Sequence, residues 1–289
     1  NYRMLVNGEL DVQGTASDPV VFTSIHDDTY GGDSNGNGNA TQPSNKDWGY
    51  IQFNSAPNVT NTFEHCIVRY GGYYSTNYSS SSRYSMIWVY SPDKAYDDVT
   101  IRNCTIENTY GDGIYVSGYA EPVIEDNTIK NCGSSGVEID TDGILTNLSP
   151  VIRDNHIENN GYGINSKGDD QYSLKPVIEG NTLSFNTYAL AQENFSFPSY
   201  SGNTISSNTF QTISVSGIIN PAFFSTEFWP DVEGLGLAYY IVEDLTLDSN
   251  LKLTIPSGVV IKFATKSNNF ANYRMLVNGE LDVQGTASD

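Results

Sequence analysis

The segment Asp33-Ser34-Asn35-Gly36-Asn37-Gly38 offers alternate side-chain oxygens ahead of a tight glycine turn, the pattern with which a loop wraps a hard, oxygen-seeking cation. Calcium is the ion that suits it. The second half of such a loop is missing: its twelfth position is Ser44 rather than a chelating Glu, so a calcium site must borrow oxygens from Asp27, Asp28 or Asp47. A Gly/Asn-rich insertion loop without metal reads from the same letters. Other chemistry is thin. There are three histidines, His26, His65 and His156, and the last two sit inside repeated motifs that favour corner or surface roles over proton transfer. Asp169-Asp170 resembles an acidic pair, yet it follows a glycine beside Lys167 and reads as a solvated turn. Lys130 and Arg153 have no acidic cluster in register with them, and no catalytic residue is assigned. Tyr70, Tyr73, Tyr74, Tyr78, Tyr84, Trp88 and Tyr90 crowd one stretch, where ring faces can stack on sugars or simply stiffen a strand surface.

The elements that must carry these residues are read from repetition. Asn1 to Asp18 recurs letter for letter as Asn272 to Asp289, an offset of 271 residues. Near-identical tandem copies of a 271-residue unit explain this, as does an engineered duplication. A shorter period lies inside. Val123-Ile124-Glu125-Asp126-Asn127-Thr128-Ile129 recurs as Val151-Ile152-Arg153-Asp154-Asn155-His156-Ile157 and as Val177-Ile178-Glu179-Gly180-Asn181-Thr182-Leu183, and Ser201-Gly202-Asn203-Thr204-Ile205 continues it. Upstream, Cys66 and Cys104 take the place of the Asn. The frame therefore runs through Cys66, Cys104, Asn127, Asn155, Asn181 and Asn203, with a looped-out insertion between Tyr73 and Tyr84 in its first, longest step.

Each copy yields two or three apolar segments too short for stable hairpins. Stacked in parallel about 4.8 Å apart, they satisfy one another and enclose a continuous apolar tube. The fold class expected is all-β, a parallel β-helix of about ten or eleven coils. The recurring Asn then has a purpose: it accepts left-handed geometry at a corner, and its amide bonds to the same Asn one coil away. Cys66 and Cys104 belong to that column as small buried residues, disulfide-bonded or as free thiols according to their spacing, and Cys132 lies in another column.

The segments Leu253-Thr254-Ile255-Pro256-Ser257-Gly258-Val259-Val260-Ile261-Lys262-Phe263, Gly14-Thr15-Ala16-Ser17-Asp18-Pro19-Val20-Val21-Phe22-Thr23-Ser24, Asp47-Trp48-Gly49-Tyr50-Ile51 and Val68-Arg69-Tyr70-Gly71-Gly72 resemble the opening coils of pectate-lyase-like right-handed β-helix repeat proteins, chiefly the secreted or surface-attached prokaryotic kind. The resemblance covers nearly all of the chain except residues 218–238. It implies the right-handed fold and leaves activity open, because lyases, hydrolases, adhesins and inert surface proteins share it. It also orders the segments: residues 1–217 form a β-helix body, 218–238 a connector, and 239–289 the opening coils of the next unit. Phe223, Phe224, Phe228 and Trp229 in the connector are expected to plug the end of the tube or to pack as an ordinary covering loop.

Composition narrows the function. Fourteen Lys and Arg against 34 Asp and Glu leave a formal charge of −20, which repels nucleic acid and anionic membranes. No apolar run is long enough to span a bilayer. The acidic, Tyr-rich composition, with Asn-X-Ser/Thr sites at Asn39, Asn58, Asn77, Asn103, Asn147 and Asn194, suits an extracellular or cell-surface setting. The function expected is therefore structural: units continue end to end as a stalk, layer or filament, each advancing roughly 50 Å, with further copies of the same unit as partners. A polysaccharide-binding or polysaccharide-degrading module, or an adhesin, is the alternative, with carbohydrate as its partner.

Overall fold

A computed structural model describes residues 2–54, 59–73, 84–93, 99–141, 146–169, 172–265 and 272–286. The insertion expected between Tyr73 and Tyr84, with Tyr74 and Tyr78, lies outside the described residues, as do Asp170, Asn58 and Asn77.

Each short apolar segment is a strand, and each strand pairs in parallel with its counterpart one coil away. The chain passes in turn through three walls. An eleven-stranded sheet forms the first and longest, running from Met4–Val6 through Ser85–Ser91, Asp112–Gly118, Ser135–Asp140, Tyr162–Lys167 and Tyr188–Glu193 to Ile261–Phe263. A seven-stranded second sheet runs from Asp11–Gln13 to Ser199–Ser201, and a seven-stranded third from Val20–Phe22 to Thr204–Ser206. The path of the long sheet climbs through ten strands, in keeping with the coil number expected from the repeats.

Register explains the core. On the second sheet Ile101, Ile124, Ile152 and Ile178 are direct neighbours, on the third Ile106, Ile129, Ile157 and Leu183, and on the first Ile114, Val137, Ile164 and Leu190. All of them are almost fully buried. Each such side chain contributes about 1.5–3 kcal/mol when withdrawn from water. That term makes three-residue strands viable, because like stacks on like at every level.

The upper end differs. Residues 218–238 were expected to lack a coil pattern, but Ser225–Phe228 forms a parallel three-stranded sheet with Leu251–Pro256 and Glu280–Gln284. The second and third sheets stop at Ser199–Ser201 and Thr204–Ser206, whereas the long sheet goes on. Its strand Phe210–Ile219 pairs with Tyr188–Glu193 on one edge and with Tyr239–Leu247 on the other. Tyr239–Leu247 then carries two strands side by side, Ile261–Phe263 on its first half and Met275–Val277 on its second. One wall of the lower helix thus becomes two walls of the upper coils.

Trp229 and Tyr239 pack inside the continuous apolar core, together with Leu251, Leu253 and Ile255 of the levels that follow. Both are completely buried, their rings stack 4.6 Å apart, and the Tyr239 hydroxyl donates to the carbonyl of Pro230 at 3.0 Å. The other three connector aromatics do not join them in the core: Phe223, Phe224 and Phe228 are 76%, 67% and 49% exposed. Phe228 lies outside because Ser225–Phe228 buries only Glu227, which meets Lys175 at 2.9 Å; Phe223 and Phe224 precede that strand.

Candidate functional site

Two corners of each coil are built alike. At the first, between the second and third sheets, the Asn127 backbone N–H and side-chain amide both donate to Asn155 Oδ1, each at 3.0 Å, and the same amide donates to the Ile101 carbonyl at 2.9 Å. Asn155 repeats this on Asn181, and Asn181 on Asn203. Below, Cys104 donates its N–H to Asn127 Oδ1 at 2.9 Å, and Cys66 donates to the Cys104 sulfur at 3.4 Å. The structure therefore brings Cys66, Cys104, Asn127, Asn155, Asn181 and Asn203 into one column. All three thiols are free and buried, and the Cys66 thiol is pushed well up by its hydrogen bond with Cys104 and by burial.

The left-handed corner geometry expected of the Asn belongs instead to the residue before it. His65, Asn103, Asp126, Asp154, Gly180 and Gly202 have φ between 50° and 65°. One residue in that region turns the chain sharply and leaves the next, in extended geometry, to point inward.

A second column was missed. Cys132 donates its N–H to Asn160 Oδ1 at 2.9 Å, Asn160 stacks on Asn186, Asn186 on Asn208, and the column ends on Gln211. Cys132, expected only as a packed thiol, is its lowest hydrogen-bonding member. The signal was present: each member lies five residues after a member of the first column. The small residue that follows, in the Gly136 and Gly163 positions, is required by space, since a Cβ at Gly136 would stand 2.5 Å from Ile157 Cγ2 and 3.1 Å from the Asn160 amide.

Most of the side chains expected to gather around calcium make other hydrogen bonds. Asp33 accepts from the N–H groups of Asn37 and Gly38 at 3.0 and 2.8 Å, closing its own loop, and the Asn35 amide donates to the Ile25 carbonyl. Asn37 reaches Thr41. Asp27 is buried against Arg69 at 2.6 Å; burial would raise its pKa, but hydrogen bonds from Thr23, Arg69 and Thr29 outweigh that and hold it below the usual carboxylate range. Asp47 accepts from Ser24 and Ser44, while Asp28 keeps one buried oxygen without a partner. Among the described residues no group of three or more His, Cys, Asp or Glu is placed to hold a metal ion. His26 bonds Thr41, His65 sits at a corner, and His156 faces outward 3.2 Å from Glu158.

The titratable cluster lies on the outer face of the long sheet, where sequence reasoning assigned nothing. Ser135 donates its N–H to Asp112 Oδ1 at 2.9 Å and its hydroxyl to Glu138 at 2.7 Å; the Asn165 amide bridges Glu138 and Glu193 at 3.2 and 3.1 Å. Burial, then the charge of Asp112, lifts Glu138 to about 8 against the donors Ser135 and Asn165, and burial also raises Asp112. Among the described residues neither Asp112 nor Glu138 makes an ion pair. Beside them opens a cleft of about 600 Å³, with Ser85, Asp112 and Ser134 meeting the rings of Tyr84, Tyr110 and Tyr115. The signal for this cluster is faint in sequence, because it arises from register: Asp112 pairs with Ser85, and Ser135 lies one level above. Higher on the same face Tyr162, Tyr188, Phe210 and Tyr240 form a stack with centroids 4.6–5.8 Å apart.

Three parallel walls around a ladder-lined apolar tube define a parallel β-solenoid. The model of the right handed beta helix region family matches residues 58–220, more than half of the chain, and the chain belongs to that family. No curated protein and no solved structure matches it.

Proposed function

We propose that this chain is a structural unit of an extracellular surface protein, in which β-helix units follow one another end to end as a stalk or filament. The observation that carries the reading is the pairing of the duplicated segment. Met4–Val6 and Asp11–Gln13 offer their upper edges to Ile51–Asn54 and Asn61–Glu64. Their identical counterparts, Met275–Val277 and Glu280–Gln284, offer the lower edges to Tyr239–Leu247 and Leu251–Pro256. A single segment using both edges splices one helix onto the next without a break in hydrogen bonding, and the partner of each unit is then another copy of itself.

The exposed apolar residues of the last level, Phe263, Leu276, Val277 and Val283, support the same reading, since a following coil would cover them. The test is a chain carrying two consecutive 271-residue units, imaged by negative-stain electron microscopy and measured by small-angle scattering. A stiff rod that lengthens by roughly 50 Å per added unit is expected. Two globular bodies on a flexible joint would refute the proposal.

A further inference from the structure

The cleft on the long face has a floor with unused hydrogen-bonding capacity. Ser85 is 2% exposed and lines the cleft, and its hydroxyl oxygen meets no partner among the described residues, which is a costly state for a buried polar atom. Its direct neighbour across the strands is Asp112, which also lines the cleft; its carboxylate accepts hydrogen bonds from Ser135 and Ser134 but makes no ion pair with any described residue. Ser134 supplies a further oxygen. The walls are aromatic: Tyr84 and Tyr110 lie edge to face at 5.3 Å, with Tyr115 across from them. These rings already attract a cation, because the Lys46 ammonium sits 4.3 Å from the centroid of Tyr110.

A carboxylate, a bare hydroxyl and tyrosine rings around one small space complement a positive charge that carries several N–H donors. We propose that this cleft binds the ammonium group of a small primary amine, with Asp112, Ser85 and Ser134 accepting its protons and the tyrosine rings packing on its methylenes. Three donors meet three oxygens, and the chain's formal charge of −20 draws such a ligand inward. A neutral sugar would satisfy Ser85 but would bring no counter-charge to a buried carboxylate that holds hydrogen bonds alone.

The test is calorimetric titration of the intact chain with cadaverine, beside 1-pentanol and cellobiose, at neutral pH and roughly physiological salt, where diffuse attraction is screened. Saturable one-to-one binding of cadaverine is expected, with pentanol silent. D112N should weaken it about tenfold, the worth of a charge-assisted hydrogen bond, and S85A about threefold. The exposed-face variant D282N should change nothing. Circular dichroism checks that each variant folds, and if D112N does not, S85A decides. The proposal is overturned if cadaverine gives no saturable binding, if the folded D112N or S85A binds it like the parent, if D282N weakens it as much as they do, or if cellobiose binds more tightly.

Discussion

The coils between Asn61 and Asn208 and the levels above Phe210 are one helix built in two ways. Below, many strands hold only three residues, and two columns of buried amides tie the corners together. Above, strands of ten and nine residues, Phe210–Ile219 and Tyr239–Leu247, span more of the circuit and the Asn columns stop at Asn203 and Gln211. The contrast assigns the columns their purpose. A tight corner strands backbone groups between walls, and an inward amide satisfies a carbonyl one coil below while receiving the N–H of the same corner. Where a long strand runs through the bend, fewer groups are stranded and no column is needed.

Breaking one rung should therefore cost more than breaking a corner hydrogen bond above it. In Asn155→Ala the N–H of Asn127 and the carbonyl of Ile124 both lose their partner inside the tube. At about 1–3 kcal/mol for each orphaned group, the loss is roughly 4 kcal/mol. Asn250→Ala, at an exposed upper corner with one bond of 3.2 Å to the Pro221 carbonyl, should cost about 1 kcal/mol or less. Urea denaturation of both variants checks this, and equal losses would remove the distinction between the two constructions.

A second expectation sharpens the same contrast, because the lower face holds a buried carboxylate, Glu138, without an ion-pair partner among the described residues, whereas the buried Glu227 above is paired with Lys175. Glu138 has its folded pKa raised from 4.5 to about 8, so the folded state holds a proton that the unfolded state releases. Stability should fall as pH rises from about 4.5 to about 8 and level off above, by a few kcal/mol at most. The neighbours that set this are Asp112 and Glu193, with Ser135 and Asn165 donating. E138Q keeps the shape and cannot ionise, so its stability profile across that range should be flatter than the parent's. An unchanged slope in E138Q would assign the pH dependence to other groups.

The walls and the first column were legible because they recur: Val-Ile-Glu-Asp-Asn-Thr-Ile and its copies fix period, inward faces and corner in one phrase. The second column was equally periodic but hidden by composition, since Cys132, Asn160, Asn186 and Asn208 are followed by differing residues. The left-handed residue lies one position earlier than the pattern suggests because both Asp126 and Asn127 tolerate that geometry, and the inward turn of the Asn127 amide decides which one bends the chain. The acidic cleft was out of reach for another reason. Asp112, Ser85 and Glu138 come from three coils separated by loops of unequal length at the third corner, and their meeting depends on register that no single coil encodes. Likewise, the exposure of Phe228 depends on which side of Ser225–Phe228 faces the core, and four residues carry too little alternation to say.

The smallest expected effect tests the corner rule itself. In the second column the residue before each of Cys132, Asn160, Asn186 and Asn208 is left-handed, and the series reads Asn131, Asn159, Phe185 and Ser207. Asn adopts this region readily, whereas Phe185, at φ 58° and 60% exposed, bears the steric penalty of about 1–2 kcal/mol with little burial of its ring to offset it. Glycine removes that strain and adds about 0.5–1 kcal/mol of backbone entropy cost. Phe185→Gly should thus raise stability by about 0.5 kcal/mol, while Asn159→Gly should lower it by a similar amount, a difference visible in paired thermal melts as a few degrees. If Phe185→Gly proves the less stable of the two, the ring is holding the corner, and the backbone account of the column gives way to a packing one.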